Sequence, residues 1–195
     1  MITRRDFAKY IGSGALALGI GEISMGFACN PSSVFADIEA YVPIGLDAFK
    51  VILGLISPSE ASALGPIIND VEVAFNTLET VVQQYQNAPA SQKASLVGKI
   101  VTAINAVISQ LNSFWSALNL PDGSLASTII GVLQVIVSTL AAFLPQLGGT
   151  LALDAKKKFN RTIPIVTRSG NQLKAKSIRK DINAVFAKYG YSNRI

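Results

Sequence analysis

The chain has 195 residues, of which 50% are hydrophobic and 15% are charged, so it is long and apolar enough to bury the core of a domain. It contains no histidine, which excludes the commonest general base and the commonest metal ligand. Its single cysteine excludes an intramolecular disulfide and leaves zinc, haem and iron–sulfur sites without their usual ligands. The net charge is +5, and it is distributed unevenly along the chain.

The first 36 residues have the layout of an export signal. Residues 10–21 are apolar but include four glycines, so they are too short and too glycine-rich to form a stable membrane-spanning helix. Residues 3–9, TRRDFAK, resemble the twin-arginine (Tat) signal pattern S/T-R-R-x-F-x-K. Its preferred positions are occupied by Arg4, Arg5, Phe7 and Lys9. The resemblance implies export by the Tat translocase to the periplasm or beyond, and it implies nothing about activity.

Two processing sites compete at the end of this signal. Residues 34–36, VFA, place small or modest side chains at the −3 and −1 positions of a signal-peptidase site, and we expect Pro31 to break any helix and keep the site extended. Cleavage after Ala36 is the preferred prediction, and it releases a soluble domain. The alternative is lipid modification of Cys29, where the sequence resembles a lipobox only at Ala28 and Cys29. Lipid modification would tether the protein to a membrane.

Residues 37–150 show the periodicity of four helices and no strand pattern. The first helix is predicted over 37–56 with a kink at Pro43, and residues 57–60, SPSE, form a capping-box pattern with proline at the first helical position. In the next three helices, apolar residues recur at alternating spacings of three and four. They are Ile68, Val71, Phe75, Leu78, Val82 and Tyr85; then Val97, Ile100, Ile104, Val107, Leu111, Phe114 and Leu118; then Ile129, Leu133, Ile136, Leu140, Phe143 and Leu147.

The connections between these helices are short. Residues 87–89 and 120–123 contain proline or glycine and are expected to form tight loops, so the helices that flank them should be antiparallel. The predicted fold is therefore all-α. It consists of an antiparallel four-helix bundle in 37–150 and an additional basic amphipathic helix in 151–195.

Two consecutive helices of this bundle carry no charge. Residues 100–121 and 123–153 contain no charged side chain, and residues 125–144 alone are long enough to cross a hydrocarbon core of about 30 Å. The hairpin 100–147 is predicted either to be buried inside a soluble bundle or to insert into a membrane or bind an apolar ligand. Its polar residues favour burial with one wet edge. They are Asn105, Ser109, Gln110, Asn112 and Ser113 in the first helix, and Ser127, Thr128, Gln134, Ser138 and Thr139 in the second.

Charge divides the chain into an acidic and a basic part. Residues 37–150 contain eight acidic and three basic residues, whereas residues 151–195 contain two acidic and eleven basic residues. The segment 162–166 is expected to be extended, and a helix with an apolar face is expected to follow it and to stop at Gly190. Two alternatives remain open for this helix. Either its apolar face docks on the bundle and its basic residues form a solvated face, or Lys174, Lys176, Arg179 and Lys180 contact an anionic surface. Nucleic acid is not a predicted partner, because no aromatic residues are interleaved with the basic cluster.

The acidic residues of 37–150 follow no catalytic or metal-binding spacing. The pattern of a calcium loop, a phosphate-binding loop or a nucleophile elbow does not occur. We therefore predict no catalytic residue, no metal site and no cofactor. The expected function is that of a non-catalytic exported protein that contacts an unknown envelope protein or an anionic surface. The alternative is membrane insertion or apolar-ligand binding by the hairpin 100–147.

Overall fold

A computed structural model describes residues 31–120, 123–152, 161–168, 170–191 and 195. This part of the chain is all-helical and contains no strand, which confirms the predicted fold class. The signal residues Arg4, Arg5, Phe7 and Lys9, and the alternative processing site Cys29, lie outside the described residues.

Six α-helices and two short 3₁₀ turns make up the described structure. One of the helices is short and lies between two long ones, and the two 3₁₀ turns lie before and after the segment that leads to the last helix. The helices are α1 (Pro31–Leu53), α2 (Pro58–Ala63), α3 (Gly65–Asn87), α4 (Ala90–Ala117), α5 (Ser124–Phe143) and α6 (Ala175–Lys188); the 3₁₀ turns are Pro145–Leu147 and Gly170–Leu173.

Helix α1 begins earlier than the sequence predicts. Residues 34–36 are helical, so the expectation that Pro31 keeps them extended is wrong. The physical reason is that helix formation buries Val34 and Phe35 in the core. The helix also runs through Pro43 and ends at Leu53. Val34 and Phe35 are each only 4% exposed, so they belong to the core.

Local capping fixes the break between α1 and α3. Ser57 is the N-cap of α2, where its hydroxyl accepts a hydrogen bond from the Glu60 N–H at 3.2 Å, and Pro58 occupies the first turn. Leu64 separates α2 from α3, and Pro66 lies in the first turn of α3. Leu64 therefore divides the short helix α2 from the long helix α3.

Aromatic rings join the long helices at the centre of the molecule. The ring of Phe49 from α1 meets that of Phe114 from α4 edge to face, with 5.0 Å between centroids. Tyr41, also from α1, is fully buried, and its hydroxyl donates a hydrogen bond to the Ile136 carbonyl of α5 at 3.0 Å. Helix α1 therefore lies against both helices of the uncharged hairpin, and it shields one side of them.

Candidate interaction surface

Helix α6 packs against α1 and α5 through one apolar face. Ile178, Ile182 and Phe186 are fully buried, as the periodicity of the tail predicts. Helix α5 approaches closely at Gly131, where an added Cβ would lie only 2.8 Å from a Val185 methyl carbon. The helix ends before Gly190, whose φ of 81° is in the left-handed region, and this agrees with the predicted stop.

Two ion pairs hold the basic segment in place. The Lys174 ammonium lies 2.9 Å from the Asp37 carboxylate of α1, so the start of α6 is joined to the start of the acidic part. The Arg168 guanidinium lies 2.8 Å from the Asp181 carboxylate of α6, and only 12% of the Arg168 side chain is exposed. A further cation, Arg161, lies over the Trp115 ring at 5.4 Å. Several tail cations therefore have partners within the protein.

Three cations on α6 have no such partner. Lys176, Arg179 and Lys180 are exposed and form no ion pair or hydrogen bond with any described residue. Their spacings of three and four place them beside one another on the helix surface. We refer to these three residues as the cationic face of α6. Lys174, the fourth predicted contact, differs from them because its charge is already balanced by Asp37.

Polar side chains of the uncharged hairpin bind the backbone of the segment that follows it. The Asn112 carbonyl oxygen accepts a hydrogen bond from the Ile163 N–H at 2.8 Å, and the Ser138 hydroxyl accepts one from the Val166 N–H at 2.9 Å. Asn105 accepts a bond from the Ala152 N–H at 2.7 Å. Residues 161–168 form neither helix nor strand, and through these bonds they lie across α4 and α5 as a covering segment.

The covering segment changes the interpretation of the polar residues in the hairpin. Of the ten polar residues in the expected wet edge, Asn112, Thr128, Ser138 and Thr139 are buried, whereas the other six are partly exposed. The expectation is therefore wrong for these four residues. The hydroxyls of Thr128 and Thr139 donate hydrogen bonds to backbone carbonyls of their own helix. Asn112 and Ser138 instead accept hydrogen bonds from the covering segment. The hairpin is therefore polar where another part of the chain crosses it.

Two helical stretches in the described residues are long and apolar enough to span a membrane, Ala90–Ala117 and Ser124–Leu147. This test is also passed by core helices of soluble proteins, and 67% of the more apolar stretch is buried here. Large apolar side chains that are exposed occur among the described residues at Val73, Leu151, Ile165 and Val166. None of the four belongs to α4 or α5, although Val101, Leu125 and Ile130 of these helices are partly exposed.

Two cavities flank the covering segment where it crosses α5. A cavity of about 630 Å³ lies between Ala141 and Ala142 of α5 and the side chains of Ile165 and Leu173. A second cavity of about 400 Å³ is lined by Gln134, Lys188 and Tyr189, among others. Both cavities are lined by Ser138, Val166 and Arg168, and the hydrogen bond from the Val166 N–H to the Ser138 hydroxyl joins the covering segment to α5 between them.

The titratable groups of the interior are tyrosines. Burial raises the pKa of Tyr41 well above its usual value, and the nearby Arg168 charge opposes this shift in part. Burial also raises the pKa of Tyr85, whose ring stacks on Phe35 with 3.7 Å between centroids. Within the described ranges, no three His, Cys, Asp or Glu residues lie close enough together to hold a metal ion. The arrangement is suited to packing and surface contact.

Sequence reasoning identifies the helix that carries Lys176, Arg179 and Lys180, with Lys174 just before its first residue, but misses the partners of Arg168 and Lys174. The sequence signal that could have identified the Arg168 partner is the scarcity of carboxylates, because Asp181 is one of only two acidic residues in 151–195. A nearly buried guanidinium in this segment requires such a partner.

Comparison of the chain with protein-family models, with curated proteins and with solved structures finds no match.

Proposed function

We propose that this protein is a non-catalytic exported helical protein that associates with an anionic surface of the cell envelope through the cationic face of α6. The observation that carries the proposal is that Lys176, Arg179 and Lys180 are exposed and have no ion-pair or hydrogen-bond partner among the described residues, whereas Arg168 and Lys174 are paired. Unpaired basic residues at a membrane surface each contribute about 1 kcal/mol of attraction to anionic lipids. The buried apolar face of α6 holds these charges on a rigid support.

Binding to vesicles tests this proposal. We expect the protein to bind vesicles that contain phosphatidylglycerol, to bind neutral vesicles much more weakly, and to be released by salt. Combined replacement of Lys176, Arg179 and Lys180 by glutamate should weaken binding at least on the order of 100-fold, since about 3 kcal/mol of attraction is lost. Helicity measured by circular dichroism should not change, because these side chains make no packing contact in the core.

A matched control distinguishes a local surface from overall charge. Replacement of Lys50, Lys93 and Lys99 by glutamate changes the net charge equally but alters cations on other helices. This variant should retain most of the affinity. Equal loss in both variants, or no loss in the α6 variant, would show that the cationic face of α6 is not the contact.

We also propose that α1, α3, α4 and α5 form the antiparallel four-helix bundle expected from the sequence. The contacts support it, because α1 packs on α3, α3 on α4, α4 on α5, and α5 on α1, which closes a ring of four helices. The connection between α3 and α4 consists of Ala88 and Pro89, which is short enough to require antiparallel neighbours.

Export by the Tat route remains a proposal based on Arg4, Arg5, Phe7 and Lys9. The packing of α1 bears on how the signal is removed. Cleavage after Ala36 would take Val34 and Phe35 out of the core and remove the ring that stacks on Tyr85. Processing at Cys29 keeps the whole of α1, so the burial of these side chains supports the lipid-tethered form over the released one.

The intact mass of the exported protein tests this choice. A chain that begins with a diacylated Cys29 is the expected product, and Cys29→Ser should abolish the acylated mass. A product that begins at Asp37 would contradict the proposal. The released form would also have to fold without Phe35, and loss of such a buried aromatic side chain typically reduces the free energy of unfolding by about 3–5 kcal/mol.

A second candidate function is the binding of an apolar or amphipathic ligand beside the uncharged hairpin. The observation that favours it is the larger cavity beside the covering segment, whose lining includes alanine, isoleucine and leucine side chains. Membrane insertion of the hairpin has less support, since insertion would first have to break the bonds of Asn112 and Ser138 to the covering segment.

A further inference from the structure

The peptide bond between Ala36 and Asp37, where signal-peptidase cleavage is predicted, lies inside a folded helix. Val34 and Phe35 on its amino-terminal side are each 4% exposed, and Ile38 on its other side is fully buried. Ala36 itself is exposed, so the bond is near solvent while its neighbours are anchored in the core. Proteases cut chain that they can hold in an extended form, which is why cleavage concentrates in exposed loops and termini. Cleavage at this bond therefore requires the first turns of α1 to open.

Helix α3 makes two contacts that hold these turns closed. The Phe35 ring stacks on the Tyr85 ring with 3.7 Å between centroids. The Glu39 carboxylate accepts a hydrogen bond from the Gln86 side-chain amide. One contact precedes the bond in sequence and the other follows it, and each joins α1 to the last turn of α3. Both contacts must break before residues 34–39 can extend.

A third contact comes from the far end of the chain. Lys174 immediately precedes α6, and its ammonium lies 2.9 Å from the carboxylate of Asp37, the residue just after the bond. The two residues are 137 positions apart. Helix α6 also packs against α1. The closed form of α1 therefore includes contacts that cannot form until nearly the whole chain has been made.

We infer that folding of the complete chain shields the bond between Ala36 and Asp37, and that the ion pair of Lys174 with Asp37 acts as a latch on α1. Cleavage at this bond is then confined to chains in which α6 has not yet docked or α1 has opened locally. The inference rests on the export signal proposed above, and it adds that the carboxyl-terminal part of the chain regulates processing at the amino-terminal part.

An endoproteinase that cuts before aspartate tests the inference, because it can cleave the bond between Ala36 and Asp37 itself. The substrate is the full chain with Cys29→Ser, which prevents lipid modification, and the unfolded reference is a synthetic peptide of residues 30–44. We expect the folded chain to be cut there more slowly than the peptide by at least on the order of 100-fold, since proteolysis of a folded segment follows the population of its open form. Equal rates in the chain and the peptide would overturn the inference.

Charge reversal tests the latch. Lys174→Glu places a carboxylate beside Asp37 and should speed the cut severalfold, as loss of a partly exposed ion pair allows. Lys176→Glu makes the same change of charge where no described residue is its partner, and it should leave the rate unchanged. Mass spectrometry also follows the cut before Asp47, farther along α1, which should stay slow in both variants. No acceleration by Lys174→Glu, equal acceleration by Lys176→Glu, or equal acceleration at Asp47 would overturn the latch.

Failure of this test differs from failure of the proposed function. A folded chain that is cut as fast as the peptide removes the shielding, but it leaves the vesicle test of the cationic face of α6 untouched. An exported product that begins at Asp37 contradicts processing at Cys29. If the folded chain resists the endoproteinase, that product was cut before α6 docked, as the inference requires.

Discussion

Replacement of Asn112 by alanine should loosen the covering segment from the hairpin. Asn112 is 1% exposed, and its side chain makes two hydrogen bonds. Its amide N–H donates to the Ile108 carbonyl, and its amide oxygen accepts from the Ile163 N–H. The first bond is within α4, where the backbone retains its own partner. The second joins residues 51 positions apart, so its loss leaves a buried N–H without an acceptor.

The expected loss of stability follows from that orphaned donor. An unsatisfied buried N–H reduces stability by about 1–3 kcal/mol, and the truncated side chain adds a smaller loss of packing. We expect the free energy of unfolding to fall by about 2 kcal/mol, which is a large part of the roughly 5–15 kcal/mol typical of a domain. The same loss of about 2 kcal/mol corresponds to about a 30-fold increase in the equilibrium constant for local opening of the covering segment.

Urea denaturation and amide hydrogen exchange measure the two effects. The Ile163 amide should exchange about 30-fold faster in Asn112→Ala than in the wild type. Thr139→Val is the matched control, because Thr139 is fully buried but bonds only the Val135 carbonyl of its own helix, and it should change stability by less than about 1 kcal/mol. Unchanged exchange at Ile163, or equal destabilisation by both variants, would refute the role of Asn112.

Three further predictions concern packing and pH. Gly131→Ala should destabilise by about 1–3 kcal/mol in urea denaturation, since its methyl group would meet Val185 at 2.8 Å; a neutral result would mean that α6 shifts freely. Phe35→Ala should destabilise by about 3–5 kcal/mol if residues upstream of Asp37 remain in the mature fold. Burial raises the pKa of Tyr41, so Tyr41 stays protonated in the folded state at a pH where it ionises in the unfolded state, above about pH 10. The free energy of unfolding therefore keeps the full contribution of this group below that pH and falls by up to about 1.4 kcal/mol per pH unit above it. Tyr41→Phe should remove this part of the slope when unfolding is measured against pH.

Local sequence signals predict the helices well. The alternating spacing of apolar residues identifies α3, α4 and α5, and the apolar positions of the tail identify the buried face of α6. Proline is less informative, because it both interrupts helices and begins them. Pro58 lies in the first turn of α2, whereas α1 runs through Pro43.

Long-range pairing is what the sequence does not reveal. Asn112 and Ser138 resemble residues of a solvated helix edge, yet they are buried by a segment at least 28 residues further along the chain. The ion pair of Lys174 with Asp37 spans 137 positions. No local pattern encodes these contacts, so the sequence alone does not separate the paired cations from the cationic face of α6.

In the proposed function, the two parts of the tail have different roles. The covering segment is bound to α4 and α5 by hydrogen bonds, whereas Lys176, Arg179 and Lys180 are exposed. On this account the protein meets a membrane with its surface and keeps α4 and α5 inside. The competing account, in which the hairpin enters the membrane, requires the covering segment to leave.

Peptide-resolved hydrogen exchange on the protein bound to phosphatidylglycerol vesicles separates these accounts most directly. The proposal predicts that exchange slows in α6, residues 175–188, while the covering segment and the helices α4 and α5 keep the protection that they have in solution. Loss of protection in residues 161–168, together with new protection of α4 and α5 by lipid, would contradict the proposal and identify the uncharged hairpin as the membrane-binding element.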